Sequence, residues 1–160
     1  MQTAAAGATA RDSLEQVWRE QGPKLFRSVV AFTGDTEIAN DAVAEAFAQA
    51  LGRGDAVRNI DRWIWRAAFK IAGGELKRRS RSSAQGVEES TTLMPEPIAD
   101  LVKALRTLSP NQRSAVILTL YTDMTARDAG RVMGCSAATV RVHLAQGRRR
   151  LRPLLEHTDE

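Results

Sequence analysis

Residues 125–144 read Thr-Ala-Arg-Asp-Ala-Gly-Arg-Val-Met-Gly-Cys-Ser-Ala-Ala-Thr-Val-Arg-Val-His-Leu. Thr125 and Asp128 stand at the spacing of a Thr-x-x-Asp capping box, which opens a helix of about two turns. Gly134 follows where the chain must turn sharply, a position suited to positive φ. Ser136 is then placed to cap a second helix beginning at Ala137. Gly130 offers a small residue where the two helices cross, and Val132, Val140 and Leu144 are spaced to pack between them. A short helix, a tight glycine turn and a capped second helix form the pattern of a helix-turn-helix.

The second helix runs on into Gly147-Arg148-Arg149-Arg150-Leu151-Arg152. With Val140, Leu144, Gly147 and Leu151 turned inward, Arg141, Val142, Ala145 and Gln146 share the outward face. Arg141 and Gln146 carry donors suited to base edges, and Val142 and Ala145 offer apolar contact to thymine methyls. Arg148, Arg149, Arg150 and Arg152, with Arg131, Thr139 and His143 nearby, suit phosphate oxygens. The blander alternative is a capped helical hairpin with a solvated basic end. It leaves unexplained why glycine, caps and arginines all fall where DNA docking needs them.

Upstream, Ser109-Pro110-Asn111-Gln112 is a helix start with Pro at the first position and a Ser-x-x-Gln capping box. Its helix carries Ala115, Val116, Leu120 and Tyr121. Ile98, Leu101, Val102, Leu105 and Leu108 form one amphipathic helix before it. Ser80–Pro97 is serine-rich, then acidic at Glu88 and Glu89, with Pro95 and Pro97, the composition of a flexible linker. Further upstream a helix over about Asp61–Arg79 carries two stripes: the apolar Ile60, Ile64, Ala67 and Ile71, and the basic Arg62, Arg66, Lys70 and Lys77 beside Trp65, Phe69 and Leu76. Gly73-Gly74 is a weak point in it, at about 1 kcal/mol per glycine against alanine. The helix before that is capped by Asp35 or Thr36, repeats apolar residues from Ile38 to Leu51 and stops at Gly52 and Gly54. The first helical segment starts near Asp12, breaks at Gly22-Pro23 and resumes to Gly34. Period-two alternation is absent, so the fold class is all-α. Two small helical domains result, at 11–80 and 98–156, after a frayed tail at 1–10 and joined by the linker at 81–97.

At 160 residues with 43% hydrophobic content, the chain can build real cores. Its net charge of +4 favours a polyanionic partner. Cys135 is the single cysteine, and His143 and His157 are the only histidines, so no disulfide and no zinc site are expected and no cofactor is implied. The first ten residues lack the features of a signal peptide, and no apolar run is long enough for a bilayer. The expectation is a cytoplasmic protein. No phosphate loop, Ser/His/Asp set or carboxylate dyad appears, which argues against an enzyme.

Together these motifs resemble the extracytoplasmic-function sigma factors of bacterial RNA polymerase, over about Leu14 to Leu155. The carriers are Leu25-Phe26-Arg27, Thr33-Gly34-Asp35, Asp41-Ala-Val-Ala-Glu-Ala-Phe47, Trp63-Ile-Trp-Arg-Ala-Ala68, Leu108-Ser-Pro-Asn-Gln-Arg113 and the Gly130–Arg152 text. The resemblance implies promoter-specific initiation. Asp41, Ala44, Glu45 and Ala48 would dock on the clamp coiled coil of the polymerase β' subunit, with Ala44 where relatives carry glutamine. Arg58, Arg62, Trp65, Arg66, Lys70 and Lys77 would hold the single strand of the minus-ten element, a use that basic groups beside aromatics suit. Taken singly, Trp63, Trp65 and Phe69 read better as core. The helix-turn-helix would read the minus-thirty-five element. Promoter DNA, core polymerase and, as in many relatives, an anti-sigma factor are the implied partners. A stand-alone regulator, and a sigma-like protein that occupies polymerase without initiating, are the alternatives.

Overall fold

The computed structural model describes residues 2–82 and 96–156, and its regular structure is helical. The first helix, α1 (Gln2–Thr33), starts well before the expected position. Its opening turns contain Ala4, Ala5, Ala6, Ala8 and Ala10, the residue with the highest helix propensity, so residues 2–10 are helix rather than a frayed tail. Nor does α1 break at Gly22-Pro23. Pro23 removes one backbone donor, yet burial of Leu14 and Val17 before it and of Leu25 and Val29 after it holds both halves on the same core. Gly34, at φ +68°, ends the helix, its N–H donating to the Val30 carbonyl at 2.7 Å.

Asp35 caps α2 (Thr36–Arg53) as expected, accepting from the N–H groups of Glu37 and Ile38 at 2.8 and 3.1 Å. The inner face of α2 is mostly small: Ala39, Ala42, Ala46 and Ala50 are all buried. Small side chains let α1 and α3 (Ile60–Ser82) approach closely. From α3, Ile64, Trp65, Ala68, Phe69 and Ala72 complete this core, with Phe69 against Phe32 at 5.2 Å between ring centroids. Helix α3 passes through Gly73-Gly74 without interruption and continues to Ser82, beyond the expected start of the linker. Arg79 near its end pairs with the capping Asp35 at 3.1 Å.

Glu88, Glu89 and the rest of the linker through Pro95 lie outside the described residues. Pro97 belongs to the first turn of α4 (Glu96–Arg106). There a missing N–H costs nothing, because first-turn donors have no intrahelical partner. The Ser109–Gln112 capping box is present in both directions and opens α5 (Pro110–Val116). α5 runs into a wider π turn over Ile117–Tyr121. Thr119 and Thr122 donate their hydroxyls to the carbonyls of Ala115 and Leu118, loosening the ordinary ladder there. Two further helices follow, α6 (Ala126–Met133) and the longer α7 (Ala137–Glu156). No helix among the described residues is long and apolar enough to cross a membrane.

The two halves pack against each other. Helix α1 touches α4, α5 and the π turn, α3 lies against α6, and buried residues of both halves form one continuous cluster.

Candidate nucleic-acid interface

The helix-turn-helix is built as its residues dictate. Thr125 accepts from the Asp128 N–H at 3.1 Å, while the Asp128 carboxylate faces Arg131 at 3.7 Å and Arg62 at 4.0 Å instead of closing the box. Gly134 takes φ +76° and ends α6. Gly130 is where the second helix comes closest: a Cβ there would lie 2.5 Å from the Cys135 carbonyl oxygen. Ser136 caps α7, accepting from the Thr139 N–H at 3.1 Å. Val132 and Val140 are buried between the helices, with Leu144 partly buried beside them. Gly147 lets α7 press on α5, since a Cβ would meet Val116 at 2.8 Å.

This packing leaves one face of α7 open. Arg141, Val142, Ala145 and Gln146 are all exposed on it, Val142 by 55%. Val142 is thus open to solvent beside the arginines. Gln146 accepts a hydrogen bond from Gln112 of α5 at 3.2 Å, which orients its amide. Among the phosphate candidates, Arg148, Arg149 and Thr139 are exposed and Arg131 is half-buried at the edge of α6. Two are less free than expected. Arg150 donates to the Thr107 carbonyl at 3.2 Å, and the half-buried His143 has its Nδ1 enclosed without a hydrogen-bond partner among the described residues.

On α3, Arg62, Arg66, Lys70 and Lys77 are exposed along one strip, with Arg58 exposed in the preceding loop. Trp65 departs from the expected set. It is 4% exposed, lies near-parallel to Phe69 and donates its indole N–H to Gln21 at 2.8 Å, so in this conformation it is core. A buried indole seeks an acceptor, and α1 supplies one. On α2, Asp41, Ala44, Glu45 and Ala48 are all exposed, opposite the buried alanines.

Residues 98–151 match the family described as Sigma-70, region 4. The chain is 29% identical to the RNA polymerase sigma-E factor of Streptomyces antibioticus over 91% of its own length and 86% of that protein's. It is 25% identical to the ECF RNA polymerase sigma factor SigE of Mycolicibacterium smegmatis over 94% of its length, and spans 65% of that relative. Over most of its length it is similar to the extracytoplasmic-function sigma factors, and its second half carries their region 4. That family acts in transcription initiation and is not a class of enzyme. The fold agrees over nearly the whole chain with that of the Bartonella quintana sigma factor RpoE, solved in complex with the anti-sigma factor NepR. The TM-score is 0.79 at 23% identity, covering 90% of this chain and 97% of that one.

Arg113 and Arg106 make contacts between the two halves that the sequence did not disclose. Arg113 is 9% exposed and donates to three carbonyls: Leu105 at 2.9 Å, Leu108 at 3.0 Å and, across to the first half, Phe32 at 2.7 Å. Its pKa lies below the usual arginine value through burial and then through the nearby charge of Arg106. Arg106 in turn donates to the Gly34 carbonyl at 3.0 Å. The one available signal was an arginine directly after a capping box, which reads equally well as surface.

Proposed function

We propose that this chain binds core RNA polymerase and directs it to promoters, helping to melt them. The carrying observation is the exposed face of α7, where Arg141, Val142, Ala145 and Gln146 stand together above the arginine cluster of a sigma-70 region 4 match. That face suits the major groove of the minus-thirty-five element. Arg58, Arg62, Arg66, Lys70 and Lys77 are proposed to hold the non-template strand of the minus-ten element, with Trp65 available only if α1 releases it. Asp41, Ala44, Glu45 and Ala48 are proposed to meet the clamp coiled coil of the β' subunit. The first half of the chain, 11–80, would thus serve polymerase and the minus-ten element, and 98–156 the minus-thirty-five element. An anti-sigma factor is proposed as a further partner, since the similar RpoE binds one. Such a protein would work in the cytoplasm and would lend address rather than catalysis.

Run-off transcription with purified core polymerase on a promoter library tests this reading, with the protein omitted as control. Transcripts dependent on the protein and selected by sequence are expected. Duplex binding without any association with core polymerase would refute it in favour of a stand-alone regulator.

A further inference from the structure

Gln112 and Gln146 stand on different helices, and the amide of one decides what the amide of the other can offer. The chain of donors starts on the backbone. The Ser109 N–H donates to Gln112 Oε1 at 3.2 Å, closing the capping box of α5. A backbone N–H can meet only an acceptor, so the Gln112 oxygen is committed there and its Nε2 is the free end. That Nε2 donates to Gln146 Oε1 at 3.2 Å. The Gln146 oxygen is therefore turned back toward α5, and what it leaves to solvent is its NH2 group, a donor without an acceptor beside it. Close packing holds the two residues together. α7 presses on α5 at Gly147, where an added Cβ would stand 3.7 Å from Gln112 Cβ and 3.5 Å from the Gln112 carbonyl oxygen. Gln112 is half-buried by this approach, whereas Gln146 is exposed on the same face as Val142.

We propose that Gln112 is a positioning residue that selects the base read by Gln146, by fixing the Gln146 amide as a donor. The relay rests on the reading of α7 as the duplex-facing helix and names what that helix reads at one base pair. A free glutamine pairs best with adenine, because its oxygen accepts from N6 while its nitrogen donates to N7. With the oxygen held by Gln112, that two-point pairing loses the relay bond. Guanine asks for no acceptor: its major-groove edge carries O6 and N7, and both take a donor. Guanine is therefore favoured over adenine opposite Gln146 by about three- to tenfold, the worth of one exposed hydrogen bond. Ser109, Gln112 and Gln146 form one line from helix cap to groove, so a residue outside the recognition helix takes part in the choice of base.

The test selects bound sequences from a randomised duplex library, using the full chain with core polymerase present. Gln146→Ala locates the base pair, as the position where preference disappears. Gln112→Glu keeps an oxygen for the Ser109 N–H, because glutamate serves a capping box as glutamine does. Its carboxylate has no donor, so the Gln146 NH2 turns inward to it and the Gln146 oxygen turns outward. Preference at that one pair should then pass from guanine to adenine or cytosine, whose amino groups donate. The guanine-to-adenine ratio should fall by roughly tenfold or more. Gln112→Ala, which frees the amide to turn either way, should move the preference in the same direction. A capping or packing role alone would weaken binding to all sequences alike and leave the preference where it was. Adenine preferred by the wild type, or the same base preferred by the wild type and by Gln112→Glu, would overturn the relay. If Gln146→Ala changes preference nowhere, the reading of α7 itself fails and the relay with it.

Discussion

Gly130→Ala places a methyl group where the helix-turn-helix has no room. The added Cβ would lie 2.5 Å from the Cys135 carbonyl oxygen and 3.4 Å from the Ser136 carbonyl carbon. Carbon–oxygen contacts in proteins settle near 3.3 Å, so α6 and the turn must part by about 0.8 Å. The neighbour is backbone, and it is pinned: the N–H groups of Gly134 and Cys135 both donate to the Gly130 carbonyl, at 2.7 and 2.9 Å. Overpacking of this kind costs about 1–3 kcal/mol. Losing one of the two turn hydrogen bonds adds about 1 kcal/mol, and the better helix propensity of alanine returns about the same. The net loss is therefore about 2 kcal/mol. At about 2–4 °C per kcal/mol for a unit of this size, the melting temperature should fall by about 4–8 °C. Thermal unfolding followed by circular dichroism measures this. Gly52→Ala is the control, because a Cβ at Gly52 meets nothing within 4 Å, and it should melt at or slightly above the wild type. A Gly130→Ala protein that melts no lower than the wild type would refute the close-approach argument.

Asp35→Ala removes the α2 cap and the partner of Arg79 together and should cost about 2 kcal/mol in urea denaturation, while Asp35→Asn keeps a capping oxygen and should cost less. Equal losses would show that the ion pair, not the cap, matters. Joint replacement of Arg148 and Arg149 by alanine should weaken duplex binding alike across sequences and reduce the salt slope by about 2. Arg141→Ala should instead relax preference at one base pair, at about 1–3 kcal/mol. Burial pushes the Cys135 thiol above its ordinary pKa, so thiolate is scarce at neutral pH and alkylation by iodoacetamide should be slower than for free glutathione, speeding up as pH rises. An unusually fast reaction at neutral pH would contradict that environment.

The elements legible in the sequence were those whose signals are chemical groups at fixed spacing. Ser109, Thr125, Ser136 and Asp35 cap helices because a short side-chain oxygen reaches the free N–H groups two or three residues on, and that geometry is local. Gly130 and Gly134 were readable for the same reason. Where tertiary burial overrides local preference, the reading failed. Pro23 argues for a break, yet α1 is held straight through it by residues packed on both sides. The π turn after Val116 depends on where two threonine hydroxyls point, which composition does not record. Trp65 was readable both as a stacking surface and as core, and the choice depended on Gln21, a residue 44 positions away.

The meeting of the two halves was illegible for a different reason. Its polar ties end mainly on backbone carbonyls, those of Phe32 and Gly34, and every residue has one, so no sequence pattern marks the acceptor. The same chemistry keeps each tie modest in strength. A carbonyl released from an arginine returns to water, so each exposed tie is worth about 1–2 kcal/mol net rather than its full strength. Arg113 is the exception: buried against the Phe32 ring at 5.8 Å, it keeps two carbonyls of its own half when the third is lost. Loss of the Phe32 carbonyl would thus leave that guanidinium partly satisfied. The ties sit on an apolar seam, since buried residues of both halves form one continuous cluster, so the polar contacts orient the halves while apolar burial holds them together.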